Sequence, residues 1–240
     1  MARPPAQDLR SPERRVSPAM EPPHLHPPYR STVLRAPSRP PVRIPYGPGE
    51  LARLNAATLL DASRTDARAA DLTRQHGGEP IGERMIVGGQ IRDSVGRPIA
   101  GALVEVWQAN AAGRYAHAAD QHPAPLDPNF TGAGACLSDE QGRYHFLTIK
   151  PGAYPWGNHT NAWRPAHIHF SVIGNAFVER VVTQMYFPGD PLLEHDPIYN
   201  ALTDDRARAC LVGQLDLSAA VPAFALAYHF DIVVGGRSYG

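Results

Sequence analysis

Apolar residues along this chain fall in short β-prone runs separated by turn formers, and long helical stripes are few. Beyond Gly77-Gly78 the runs are Met85-Ile86-Val87, Ala102 to Trp107, Arg143 to Leu147, His167 to Ile173, Val181 to Phe187 and Tyr228 to Val234. Gly, Pro, Asp or Asn lies between most of them, and Asp93, Gly96 and Pro98 mark a turn between the first two. So many short strands with almost no intervening helix predict a mainly β protein, an antiparallel β-sandwich with long loops and short helices. Helical spacing of Leu51, Leu54, Leu59 and Leu60 after Pro48-Gly49 predicts one helix over Glu50 to Leu60. A second is predicted over Asp204 to Leu215, with Thr203 as its N-cap. No repeat at a solenoid or propeller period is present.

Proline divides the chain. More than half of its 25 prolines lie between Pro4 and Pro48, a segment that can form neither helix nor ladder. We therefore expect an extended Pro-rich N-terminal arm over residues 1–48, its first ~20 residues flexible, and one β-sandwich domain over residues 49–240. Such an arm is either disordered or laid on a partner. The 23 basic and 23 acidic residues balance, so nothing favours nucleic acid or an anionic membrane over a small molecule. Only Cys136 and Cys210 occur, far apart, which argues against a disulfide framework or a thiolate metal site and fits a reducing cytoplasm. Prolines interrupt the N-terminal segment before any run of signal-peptide or membrane length, so a soluble cytoplasmic protein is expected.

The densest chemical signal is Trp163-Arg164-Pro165-Ala166-His167-Ile168-His169-Phe170. Two histidines two apart in a strand project from one face and can share a metal, although on a bare H-x-H pair alone ordinary strand histidines are the commoner case. Zinc partners are missing: there is no cysteine cluster and no H-E-x-x-H. A 2-His-1-carboxylate ferrous site would draw on distant Asp190, Glu194 or Asp196. Tyrosinate remains as a hard anionic ligand suited to Fe(III), since a small trivalent ion can displace a phenol proton with a free pKa of ~10. Tyr115, in Gly113-Arg114-Tyr115, and Tyr154, in Pro151-Gly152-Ala153-Tyr154-Pro155-Trp156, stand in loops at strand ends, where sites are commonly built. Taken singly, each is also compatible with a rim aromatic whose hydroxyl meets water.

In that order and spacing, these three segments resemble the ligand signature of intradiol ring-cleaving dioxygenases. Pro80-Ile81-Gly82-Glu83-Arg84, Leu103 to Asn110, Leu126-Asp127-Pro128-Asn129-Phe130 and Phe230-Asp231-Ile232-Val233 extend the likeness to the β subunits of the protocatechuate-cleaving class. The match runs from about Tyr29 to Val234.

The resemblance implies a mixed β-sandwich with one non-haem Fe(III) per chain, held by Tyr115, Tyr154, His167, His169 and a solvent hydroxide. Tyr115 and His167 would be equatorial, and Tyr154 and His169 axial. A catechol dianion would displace the hydroxide and Tyr154, making that tyrosine both ligand and proton acceptor. Arg164 would stabilise charge developing on the ring, with Gln184 in the same hydrogen-bond network. Trp156 and Ile198 would wall the substrate pocket, and Tyr29 and Arg35 of the arm would face its mouth. The implied reaction opens protocatechuate with O2 to 3-carboxy-cis,cis-muconate, and the implied partner is a homologous α subunit without iron ligands, in an (αβ)n oligomer. Ala116 stands where the pattern commonly has a basic residue, and His159 where histidine is not part of it. Two rivals are a catechol or hydroxyquinol 1,2-dioxygenase, which would share the four ligands, and a metal-free sandwich acting as a binding or partner subunit.

Overall fold

The computed structural model describes residues 22–39, 67–174 and 180–234. The helix expected at Glu50 to Leu60, the first twenty residues and the end of the arm lie outside the described residues.

Two sheets face each other. The first contains β1 (Arg84–Asp93), β4 (Arg143–Ile149), β9 (Gln214–Leu215), β10 (Leu226–His229) and β11 (Ile232–Val234). The second has the order β3-β2-β7-β8, from β2 (Leu103–Gln108), β3 (Ala133–Leu137), β7 (His167–Ile173) and β8 (Arg180–Tyr186). A two-stranded ribbon of β5 (Tyr154–Pro155) and β6 (Trp163–Arg164) stands apart. All six predicted runs become strands.

Alternation decides which side chains enter the core. Met85, Val87 and Ile91 of β1 and Tyr144 and Phe146 of β4 point inward from the first sheet. Val104 and Val106 of β2 and Ile168, Phe170 and Val172 of β7 meet them from the second. Phe170 is the hub, with ring centroids 6.1 Å from Tyr144, 5.9 Å from Phe146 and 5.2 Å from Phe230. At one end the buried Gln108 side chain ties the sheets polarly, accepting from the Thr148 hydroxyl (2.8 Å) and donating to the Ile149 carbonyl (2.8 Å).

Two expectations need correction. The sandwich is not wholly antiparallel, because β10 and β11 both pair with β1 in parallel and in one continuous register, Met85 with Leu226 and Ile91 with Ile232. The chain passes through the whole second sheet between them, which supplies the long crossover that parallel pairing needs. The helix predicted over Asp204 to Leu215 is only Asp205–Ala209, here α2, and Asp204 rather than Thr203 caps it, accepting from Arg206 N and Ala207 N. Its continuation is captured by the open edge of β8, where Tyr186 N donates to Leu211 O (2.8 Å) and Gly213 N to Tyr186 O (2.9 Å). Pairing with a sheet edge satisfies groups that further helix would leave orphaned. In the arm, Arg30–Arg35 forms one short helix, α1.

Candidate metal centre

With Ile168 and Phe170 committed to the core, His167 and His169 must project from the opposite face of β7. The register sets their neighbours: Trp107, His169 and Gln184 lie side by side across β2, β7 and β8, with Tyr186 beside His167. The indole of Trp107 stacks on His169 at 4.8 Å and 3°. Two loops roof this outer face. The Tyr115 loop is held by Asn110, whose side-chain oxygen accepts Ala112 N and Arg114 N, and by Asp120, which accepts Tyr115 N (2.8 Å). The Tyr154 loop lies directly on it: a Cβ added at Gly113 would sit 2.1 Å from Ala153 O, and one at Gly152 would sit 2.5 Å from Ala111 O. Only glycine permits that approach, and Gly113 also has φ of 79°.

Four donor atoms converge as a result. His167 Nε2 lies 3.2 Å from His169 Nε2, Tyr115 Oη 3.1 Å from His169 Nε2, and Tyr154 Oη 3.4 Å from His167 Nε2. Donors about 2.0–2.1 Å from one ion and about 90° apart would be roughly 3 Å from each other, so this spacing fits a shared metal. His167 Nδ1 donates to Pro165 O (2.7 Å), which leaves the Nε2 lone pair free to ligate. Burial, with Arg164 and His169 nearby, holds His167 well below the usual histidine range, and burial and Arg164 push His169 down to about 4. Both imidazoles are thus neutral at pH 7. Burial raises both tyrosines, Tyr115 further through its neighbour Tyr154, so each keeps its proton until a strong Lewis acid displaces it. Among the described residues no group of three or more His, Cys, Asp or Glu could hold a metal; the two phenol oxygens are the further hard donors beside His167 and His169.

Beside the cluster lies the buried guanidinium of Arg164, 5.3 Å from the Trp156 ring. Its Nη2 donates to Gln184 Oε1 (2.6 Å), Tyr186 Oη (3.1 Å) and Asp196 Oδ2 (3.0 Å), and its Nε to Asp196 Oδ2 (3.2 Å). Burial alone would lower Arg164, but Tyr186, Asp196 and Tyr154 outweigh it and hold the charge in place.

Residues 61–236 match the profile of the family described as "Dioxygenase", and residues 14–46 match "Protocatechuate 3,4-dioxygenase beta subunit N terminal". The protocatechuate 3,4-dioxygenase beta chain of Burkholderia cepacia is 54% identical over 218 residues, 90% of this chain and 91% of that one. The chain belongs to the intradiol ring-cleavage dioxygenase family. Hydroxyquinol 1,2-dioxygenase of Rhizobium sp. (strain MTP-10005) is 36% identical over 49% of this dioxygenase and 42% of that chain. The crystal structure of 3-chlorocatechol 1,2-dioxygenase from Rhodococcus opacus 1CP aligns at TM-score 0.55 and 26% identity, over 70% of this chain and 65% of that one.

Within this intradiol dioxygenase the structure brings Tyr115, Tyr154, His167, His169, Arg164, Gln184 and Trp156 together. The arm joins them: Tyr29 packs on Trp156 with ring centroids 5.6 Å apart, and Arg35 donates to Tyr29 Oη (3.1 Å). Asn158 clamps the arm there, accepting Arg30 N (2.7 Å) and donating to Pro28 O (2.7 Å). Ile198 enters through its backbone, its N–H donating to Asp196 Oδ1 (3.0 Å). Ala116 and His159 are exposed. The three carboxylates weighed as distant ligands are otherwise placed. Asp196 pairs with Arg164, Asp190 accepts Ala166 N (3.1 Å) just before His167, and Glu194 is exposed in a 3-10 turn. Sequence reasoning did not single out Asn110, Asp120, Tyr186 or Asn158. The roles of Tyr186 and Asn158 arise from tertiary contacts, whereas Asn110 and Asp120 act within their own loop, where a short side-chain acceptor near a turn is a local signal.

Proposed function

We propose that this dioxygenase holds one ferric ion through Tyr115, Tyr154, His167 and His169 and cleaves protocatechuate with O2, both oxygen atoms entering the product 3-carboxy-cis,cis-muconate. The convergence of two phenol oxygens and two imidazole nitrogens on one face carries this reading. The identity to a beta chain of that activity supports the substrate.

When bound, ferric iron supplies the Lewis acidity that keeps phenolates ionised in a buried site and makes a chelated catechol reactive toward O2. The protein does the rest. His167 is fixed in its ligating tautomer by Pro165, and Trp107 orients the His169 ring. Tyr154 Oη is the group that would take up one of the two substrate hydroxyl protons, which halves the negative charge the buried site must gain as the dianion forms. Arg164 and Gln184 face the reacting ring, where a fixed cation favours developing negative charge. Trp156 and Ile198 wall the pocket, and Tyr29 and Arg35 place a phenol and a cation for the substrate acid group.

The same reading assigns residues 1–48 to an arm that orders against a homologous α subunit in an (αβ)n assembly, and residues 49–240 to the catalytic sandwich. The N-terminal family match and the exposed Leu25, Val33 and Leu34 of the arm support a partner. No helix among the described residues is long and apolar enough to cross a membrane. Cys136 and Cys210 are unpaired, which supports a reducing, cytoplasmic site of action.

The test is the visible spectrum of the protein co-expressed with its α partner, before and after anaerobic addition of protocatechuate. A tyrosinate-to-iron charge-transfer band that shifts on addition is expected. A colourless, iron-free protein refutes the reading, and faster turnover of catechol than of protocatechuate refutes the substrate.

A further inference from the structure

Arg164 Nε and Nη2 carry four hydrogen bonds to Asp196, Gln184 and Tyr186. The guanidinium also acts on the side chain of Tyr154, one of the four converging donors, so its orientation bears directly on the site. Of the three partners, Gln184 and Tyr186 are neutral, both contact Nη2, and they satisfy one another through the bond from Tyr186 Oη to Gln184 Oε1 (2.9 Å). Asp196 alone is charged and alone grips Nε, so it fixes the rotation of the guanidinium about its long side chain.

Asp196 is in turn held rigidly. It is fully buried, its Oδ1 accepts Ile198 N (3.0 Å), and its carbonyl accepts both Asn200 N (2.9 Å) and Asn200 Nδ2 (2.9 Å). It closes a 3-10 turn, its N–H bonded to Leu193 O. No donor of the candidate metal cluster contacts it, so its carboxylate is directed to Arg164 and not to an ion.

We propose that Asp196 is a positioning residue for ring cleavage: it aims the Arg164 guanidinium at the reacting ring and keeps that cation from being drawn to the neutral partners. The inference rests on the function proposed above. The experiment is a double-mutant cycle on the co-expressed enzyme, with wild type, Asp196→Asn, Arg164→Gln and the double variant. Iron content, the charge-transfer band, kcat and KM for protocatechuate are read for each. Asp196→Asn should keep iron and band at wild-type values, lower kcat per iron at least 10-fold and move KM less than threefold. In the Arg164→Gln background the same change should cost less than twofold more, because the residue it acts through is gone.

Unchanged kcat per iron in Asp196→Asn, or losses that multiply in the double variant, would overturn the proposal. Wild type without iron or band would instead sink the reading of the site, and this inference with it. If Asp196→Asn proves insoluble, Asn200→Ala is read by the same criteria, since it removes the side-chain bonds to Leu193 O, Glu194 O and Asp196 O that hold this loop. Wild-type kcat per iron in that variant counts against the proposal.

Discussion

Gly152→Ala is the sharpest single test of how the two tyrosines are brought together. The new Cβ would lie 2.5 Å from Ala111 O and 2.6 Å from Gly113 N, both backbone atoms that cannot swing aside. Ordinary contact begins at 3.4 Å, so the Tyr154 loop must lift from the Tyr115 loop by roughly 0.9 Å. Gly152 does not have positive φ, so alanine adds a clash without backbone strain. Tyr154 follows two residues later, and a lift of that size is comparable to half a metal–ligand bond of about 2 Å. Misplacement by about 1 Å costs on the order of 10²-fold in rate, and overpacking typically costs about 1–3 kcal/mol, which lowers Tm by about 2–12 °C at this chain length. Oxygen uptake with protocatechuate, iron content by elemental analysis and scanning calorimetry read the rate, the retention of metal and the stability. Gly157→Ala is the control on the same loop, because its Cβ would meet nothing within 4 Å, and it should behave as wild type. Full iron occupancy and wild-type kcat in Gly152→Ala would refute the idea that close loop contact sets the ligand geometry.

Asp120→Ala deletes the acceptor for Tyr115 N and His122 N, so it should cost about 2 kcal/mol in urea unfolding and weaken iron retention under chelator challenge. Asn158→Ala removes both bonds that clamp the arm; trypsin should then cut faster at Arg30 and Arg35, and KM should rise severalfold with kcat nearly unchanged. A thiol titration at pH 8 should find one reactive cysteine in the native chain and two in urea, because Cys210 is exposed whereas burial pushes the Cys136 thiol up to about 12 and keeps it protonated. Two fast-reacting thiols in the native state would contradict the packing around Cys136.

What the sequence could reveal follows the range of each interaction. Strand positions and the shared face of His167 and His169 were legible because period-two alternation is local. The parallel pairing of β10 and β11 with β1 was not, since the same alternation serves either direction. The end of α2 at Ala209 was set by the edge of β8, an acceptor and donor more than twenty residues upstream. Tyr115 and Tyr154 were residue types in loops until the family resemblance selected them, because the contacts that place them, through Asn110, Asp120 and two glycines, have no period. Asp196 stood among possible ligands on composition alone; its bond to Arg164, 32 residues away, belongs to the tertiary fold.

The candidate metal cluster occupies the outer face of β7, while the Phe170 hub occupies the inner one. Inheritance can therefore act on the two faces separately. A duplicated copy of such a chain that exchanged Tyr115, Tyr154 or either histidine would keep Ile168, Phe170 and Val172, and with them the packing that folds it. Loss of chemistry in one copy would then leave a sound sandwich free to take on docking or pocket-shaping duties beside its active sister, and strand alternation would by itself supply the route by which an unequal pair of subunits diverges from a single ancestor.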